Sequence, residues 1–162
     1  MNRSLLASRP ARVAGVALLQ LALVGGVVSG QLSARLTGDE YTFRVEPVDP
    51  IDPFRGAYVT LGYPELVATN DDIPGEPGDV YLPLVEDAEH WRAGTPTRTR
   101  PADGPYLACD DSSWRVECGI DSWFLPQDDA AALEDAIRDG DAVARVKVDD
   151  RGHAALVGVS VG

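Results

Sequence analysis

The sequence predicts a mainly β protein of α+β type, with an N-terminal transmembrane helix followed by a small antiparallel β-barrel or sandwich domain carrying one short helix. Three observations predict it. Val13–Ala34 is a run of 22 residues without a charge, short stretches after it alternate apolar and polar residues, and turn-forming clusters separate those stretches. At 162 residues with 44% apolar content the chain suits one domain plus a small appendage.

Residues 1–12 form a basic tail with Arg3, Arg9 and Arg12, residues 13–34 the transmembrane signal-anchor, and residues 35–162 the outer domain. At about 1.5 Å per residue the uncharged run is roughly 33 Å long as a helix, against a hydrocarbon core of about 30 Å. Basic residues before the run and acidic sequence after it predict a cytoplasmic N-terminus and an extracytoplasmic domain in a single-pass membrane protein. A cleavable signal peptide is the competing reading, because Val28-Ser29-Gly30 offers small residues before Gln31. The run exceeds the usual 7–15-residue apolar region of such signals, which favours a retained anchor. Ala22, Gly26 and Gly30 recur every fourth residue and would let a second helix approach, although small residues are also common in such segments without that role.

Beyond the anchor, Tyr41, Phe43 and Val45 alternate with Thr42, Arg44 and Glu46, the two-residue period of a half-buried strand. Ala57–Tyr63 repeats it, Asn70–Asp79 reads as a loop, and Val80–Val85 as the next strand, with another opening near Trp91. After the Thr95–Pro105 loop, Tyr106–Cys109 and Trp114–Cys118 read as a hairpin around Asp110–Ser113, and Ile120–Leu125 as a strand end. Asp128 can cap a short helix with Ala131, Leu133 and Ile137 inward and Gly140 at its end. Ala142–Val148 and His153–Val161 close the domain around a DDRG turn.

Charge limits the partners. All 26 acidic residues follow Gly38, with 11 basic residues beyond Arg12, so the outer portion carries −15, and such a surface repels nucleic acid and anionic lipid headgroups. Cys109 and Cys118, the only cysteines, flank an eight-residue stretch in a compartment expected to be oxidising, and a disulfide across the hairpin is predicted. Two thiolates do not complete a structural zinc site, and no metal or cofactor is expected.

The densest stretch is VEPVDPIDPFRGAYVTLGY, residues 45–63. Pro47-Val48-Asp49, Pro50-Ile51-Asp52 and Pro53-Phe54-Arg55 cycle in threes, the period of polyproline II, which gives one apolar edge and one charged edge of Asp49, Asp52 and Arg55. Consecutive turns with Pro at the second position fit equally. Each proline fixes its own φ and restricts its predecessor, so either geometry is pre-ordered, and Gly56 eases the passage into the next strand. The segment is read as a structural corner first and a partner-binding ridge second. As a calcium site it is short of oxygens, because that ion takes six to eight.

Enzyme constellations are weak. Lys147, the only lysine, alternates with Arg145 and is expected to face solvent, so no serine–lysine pair is apparent. His90 and His153 lack a Gly-x-Ser-x-Gly elbow, and any carboxylate pair among so many acids carries no signal. Trp91, Trp114 and Trp123 would line a sugar cleft only if they converged, and they read first as core or rim residues.

Pro47, Val48, Asp49, Pro50, Asp52, Phe54, Arg55, Gly56, Tyr58, Val59, Leu61 and Tyr63 resemble the signature of the GDYXXLXY family, membrane-anchored bacterial proteins of unknown function. Gly119-Ile120-Asp121, Trp123-Phe124-Leu125-Pro126 and Gly152 through Gly162 resemble later parts of its pattern. Ala57 stands where the family name has Asp, which argues against a catalytic duty for that carboxylate. The resemblance implies an N-terminal anchor, an extracytoplasmic β-rich domain and a neighbouring multi-spanning membrane protein as partner; it implies no substrate. The expected role is a non-catalytic accessory or partner subunit, with a free-standing ligand-binding or hydrolytic domain as the alternative.

Overall fold

The computed structural model describes residues 9–47, 58–66, 73–124, 137, 140 and 142–161. One helix, α1 (Arg9–Thr37), leads into nine strands: β1 (Asp39–Arg44), β2 (Glu46–Pro47), β3 (Tyr58–Gly62), β4 (Asp79–Asp87), β5 (His90–Ala93), β6 (Tyr106–Asp110), β7 (Ser122–Phe124), β8 (Ala142–Val148) and β9 (Ala154–Val161). They form three antiparallel sheets of three strands, ordered β1-β8-β9, β2-β3-β7 and β5-β4-β6, and the described residues close no barrel.

The two-residue period does what it predicts. Ala142, Ala144, Val146 and Val148 turn inward from β8 while Arg145 points out, and Phe43 on β1 meets the same core. Phe43, Val45, Leu61, Leu82, Leu107 and Val146 belong to one apolar cluster that all three sheets share. Tyr41 on β1 meets Trp91 on β5 edge to face, with ring centroids 4.9 Å apart. Pro83 lies within the central strand β4, a position normally closed to proline. It is tolerated because β4 changes partners there: Asp79–Pro83 pair with β6 and Leu84–Asp87 with β5.

The β8–β9 turn packs onto β6. Gly152 has φ +82°, and a Cβ there would stand 2.5 Å from the Tyr106 ring and 2.9 Å from the Ala108 nitrogen. Its carbonyl accepts from the Ala108 amide at 2.9 Å, so one glycine ties two sheets together.

Two expectations change. Trp114–Cys118 is not a strand: it contributes one isolated bridge, Asp110 with Glu117, because Asp110 and Ser113 side chains take up nearby backbone groups and curl the segment. The disulfide nevertheless forms between Cys109 and Cys118, Cα atoms 4.3 Å apart. Lys147 does not simply face solvent; its Nζ donates to the Arg35 carbonyl at the end of α1, 3.3 Å away. Of the helix expected from Asp128, only Ile137 and Gly140 lie inside the described residues. Ile137 is buried, and Gly140 has φ +80° and donates its amide to the Ile137 carbonyl.

Helix α1 has two halves. Leu18, Leu19, Leu21, Leu23, Val24 and Val27 are exposed, and no part of its most apolar window is buried in the protein. The last two turns are docked on the β1-β8-β9 sheet, with Ala34 fully buried and Gly38 so close that a Cβ would lie 2.8 Å from the Val148 carbonyl carbon. Gly30 abuts the His153 ring, while Gly26 has nothing within 4 Å of a would-be Cβ.

Candidate functional site

Where α1 meets the domain there is a cleft of about 430 Å³, lined by Gln31 and Arg35 of the helix, Gly119, Asp121, Ser122 and Trp123 of the segment entering β7, and Leu156 of β9. Gln31 Nε2 donates to the Gly119 carbonyl at 3.2 Å and the Arg35 guanidinium to the Leu156 carbonyl at 3.0 Å, so the helix bridges both walls.

Signature residues build one of those walls. The Leu61 amide donates to the Asp121 carbonyl at 2.9 Å, and Tyr63 Oη donates to the Ile120 carbonyl at 2.7 Å. Leu61 is buried, and the Tyr63 ring packs edge to face on Phe43 with centroids 6.2 Å apart. Burial, with the Asp121 charge nearby, pushes the Tyr63 hydroxyl above its ordinary range, so it stays a neutral donor. These two residues position the backbone of Gly119–Asp121.

Pro47 and Tyr58 are described through the backbone alone. Glu46 pairs with Gly62 and Pro47 with Leu61, so residues 48–57 connect two strands that are partners. Asp49, Pro50, Asp52, Pro53, Phe54, Arg55 and Gly56, expected as ridge or corner, lie outside the described residues.

Below the cleft sits a polar node that sequence reading did not single out. Asp149, buried at the start of the β8–β9 turn, accepts from Ser33 Oγ at 2.6 Å, lies 3.0 Å from His153 Nδ1, and takes the Arg151 and His153 amides at 2.9 Å each. Burial alone would raise this carboxyl; the hydrogen bonds from Ser33, His153 and the two amides outweigh it and hold Asp149 well below the usual carboxylate range. Serine and histidine both address the carboxylate rather than each other, so the trio clamps the helix to the turn. The signal available was the Asp in the DDRG turn, yet only the fold brings Ser33 to it.

A second buried carboxylate, Asp111, is 1% exposed and receives both guanidinium nitrogens of Arg98, at 2.8 and 2.6 Å, and the Gly78 amide at 2.6 Å. Arg98 holds its carboxyl below the usual range against the opposing effect of burial. Arg98 also reaches the Pro74 carbonyl, so the pair pins one loop to another. The tryptophans do not converge: Trp91 and Trp123 pack against the core, and Trp114 is 80% exposed.

No curated protein and no solved structure matches this chain. A family model, described as GDYXXLXY protein, matches residues 20–159, from within α1 almost to the end of β9. The chain belongs to the GDYXXLXY family.

Proposed function

We propose that the protein is a single-pass, membrane-anchored accessory subunit whose outer domain is non-catalytic and binds a multi-spanning membrane protein. The observation that carries this reading is the two-sided character of α1. Its first half, from Val13 on, offers exposed side chains that are apolar apart from Gln20, and its second half is joined to the domain by buried contacts and hydrogen bonds. Such a joint supports a domain held in one orientation at the membrane surface, which suits a subunit presenting a fixed face to a neighbour. An extracytoplasmic domain follows from the basic residues that precede the helix and the acidic ones that follow it.

The test is mild-detergent purification of the tagged full-length protein from its host, with crosslinking and mass spectrometry. The expected result is a stoichiometric multi-spanning protein crosslinked near residues 45–63 or the α1 cleft. Repeated recovery of the protein alone, with crosslinker present, overturns the proposal. The cleft favours a second reading, a ligand-binding domain, because its 430 Å³ falls within the size range of small-molecule sites. In that case small ligands would raise the melting temperature, and Asp121→Asn or Trp123→Ala would abolish the shift.

A further inference from the structure

We propose that the outer end of α1 is encircled by a belt of cations, Arg35, Arg100, Lys147 and Arg151, that rests in the headgroup layer and meets the phosphodiester groups of the bilayer's phospholipids. The inference rests on the anchored reading above and adds where the domain sits and what it touches.

Height comes first. With the hydrocarbon starting just after Arg12, a core of about 30 Å at about 1.5 Å per residue ends some 20 residues later, around Leu32–Ser33. Those turns of α1 are the ones that touch the domain. Gly30 meets the His153 ring, Gln31 donates to Gly119, and Ser33 donates to Asp149 and accepts from Arg151 at 3.0 Å. The β8–β9 turn is therefore level with the outer boundary of the hydrocarbon. Helix tilt shortens the vertical rise per residue and draws the turn deeper, not away. The joint leaves no stalk, since Ala34 is buried and Gly38 is wedged on Val148.

Charge comes second. Five described arginines of the outer domain are paired with carboxylates: Arg44 with Glu65, Arg92 with Asp87, Arg98 with Asp111, Arg115 with Asp121 and Arg145 with Glu40. Arg35, Arg100 and Lys147 pair with none among the described residues, and each donates to a carbonyl at the helix joint or the turn: Leu156, Asp150 and Arg35 respectively. Arg100 also lies over the Tyr106 ring, 5.5 Å from its centroid, beside Gly152. Arg151 is half exposed on the turn, within 4 Å of Asp149 and Asp150. Three carboxylates are exposed at this edge: Asp150 on the turn, and Asp39 and Glu40 at the start of β1, across from Val148 and Lys147, with Glu40 paired to Arg145; Asp149 is consumed by the clamp. In a domain of net −15, cations without carboxylate partners collect where the anchor leaves the membrane. Guanidinium groups bind phosphate through paired hydrogen bonds, so the arginines suit that layer.

The experiment uses the full chain in nanodiscs of phosphatidylcholine and phosphatidylglycerol. A fluorescent label is placed at Asp150→Cys or at Ser160→Cys, and quenching by headgroup nitroxide lipids is measured. Both sites are exposed; Ser160 lies six residues along β9 from Ala154, roughly 20 Å at strand rise. Quenching at 150 several-fold above that at 160 is expected, and equal quenching overturns the proposal. Arg100→Gln with Arg151→Gln should at least halve quenching at 150 while near-ultraviolet circular dichroism stays native. Unchanged quenching would overturn the phosphate contact. Disc incorporation is read separately by size exclusion: failure to enter discs sinks the anchored reading itself, whereas entry with an unquenched label at 150 sinks only the belt.

Discussion

The two halves of α1 differ in what determines their surfaces. From Val13 to Ser29 no described residue of the helix is buried, and its side chains answer to their surroundings rather than to the domain. From Gly30 to Thr37, Gly30, Gln31, Ser33 and Arg35 each have a named counterpart in the domain, among His153, Gly119, Asp149, Leu156 and Lys147, and Ala34 is fully buried. A continuous helix therefore passes from being interchangeable, residue by residue, to being specific. Substitutions on the two sides should behave as though they were in different proteins.

The strongest test of the specific side lies on its counterpart. Gly152→Val places a branched side chain at positive φ and into Tyr106 and the Ala108 amide, where overpacking and backbone strain together cost about 3 kcal/mol or more, enough to unfold the joint. Thermal melting of the full chain in detergent reads this as a large fall in Tm. Gly38→Ala should cost roughly 1–3 kcal/mol, because its Cβ would lie 2.5 Å from the Ala34 carbonyl and within 3 Å of Val148. Gly26→Ala in the exposed half meets nothing and should leave the domain Tm unchanged or raise it slightly, since alanine favours the helix by about 0.8–1 kcal/mol. If Gly26 and Gly38 respond alike, the division of α1 fails.

The clamp gives a pH signature. Asp149→Asn should destabilise by about 1.5–3 kcal/mol, the range for hydrogen bonds to a charged group. The folded pKa of Asp149 is depressed, so its contribution is complete above the unfolded value near pH 4 and fades as pH falls toward the folded one. Wild type and D149N melts should thus stay separated from pH 5 to 8 and converge only in strong acid. Convergence near neutral pH would mean that the carboxylate is not what Ser33 and His153 address. Replacing both Cys109 and Cys118 with Ser removes a short cross-link and should cost roughly 2–3 kcal/mol without loosening the helix, because the disulfide joins β6 to the loop before Gly119 and touches no part of α1. The smallest effect is expected from Trp114→Ala, exposed and free of core contacts, within about 0.5 kcal/mol.

Much of the fold was legible because a strand with one buried face must alternate. Phe43 and Val45, and the Ala142–Val148 series, carry that period in the sequence and are buried accordingly. The cysteine pair was legible from spacing, but the strand proposed for Trp114–Cys118 was not real. Asp110 and Ser113 bond locally there, and such side-chain competition leaves the apolar pattern unaltered. Of the candidate site, Leu61 and Tyr63 were picked out by the signature, yet their task, holding Gly119–Asp121 against α1, joins segments some 60 residues apart.

By itself the sequence determined the quantities that depend on neighbours along the chain: the length of the apolar helix, the strand periods, the cysteine spacing and the family pattern. Tertiary structure alone decided where the free apolar helix ends and the domain begins. That boundary is made by Ser33 reaching Asp149, Arg35 reaching Leu156 and Lys147 reaching Arg35. Each of these bonds spans more than a hundred residues, and a hydrogen bond selects its partner by distance in space, which no local pattern of hydrophobicity or charge encodes.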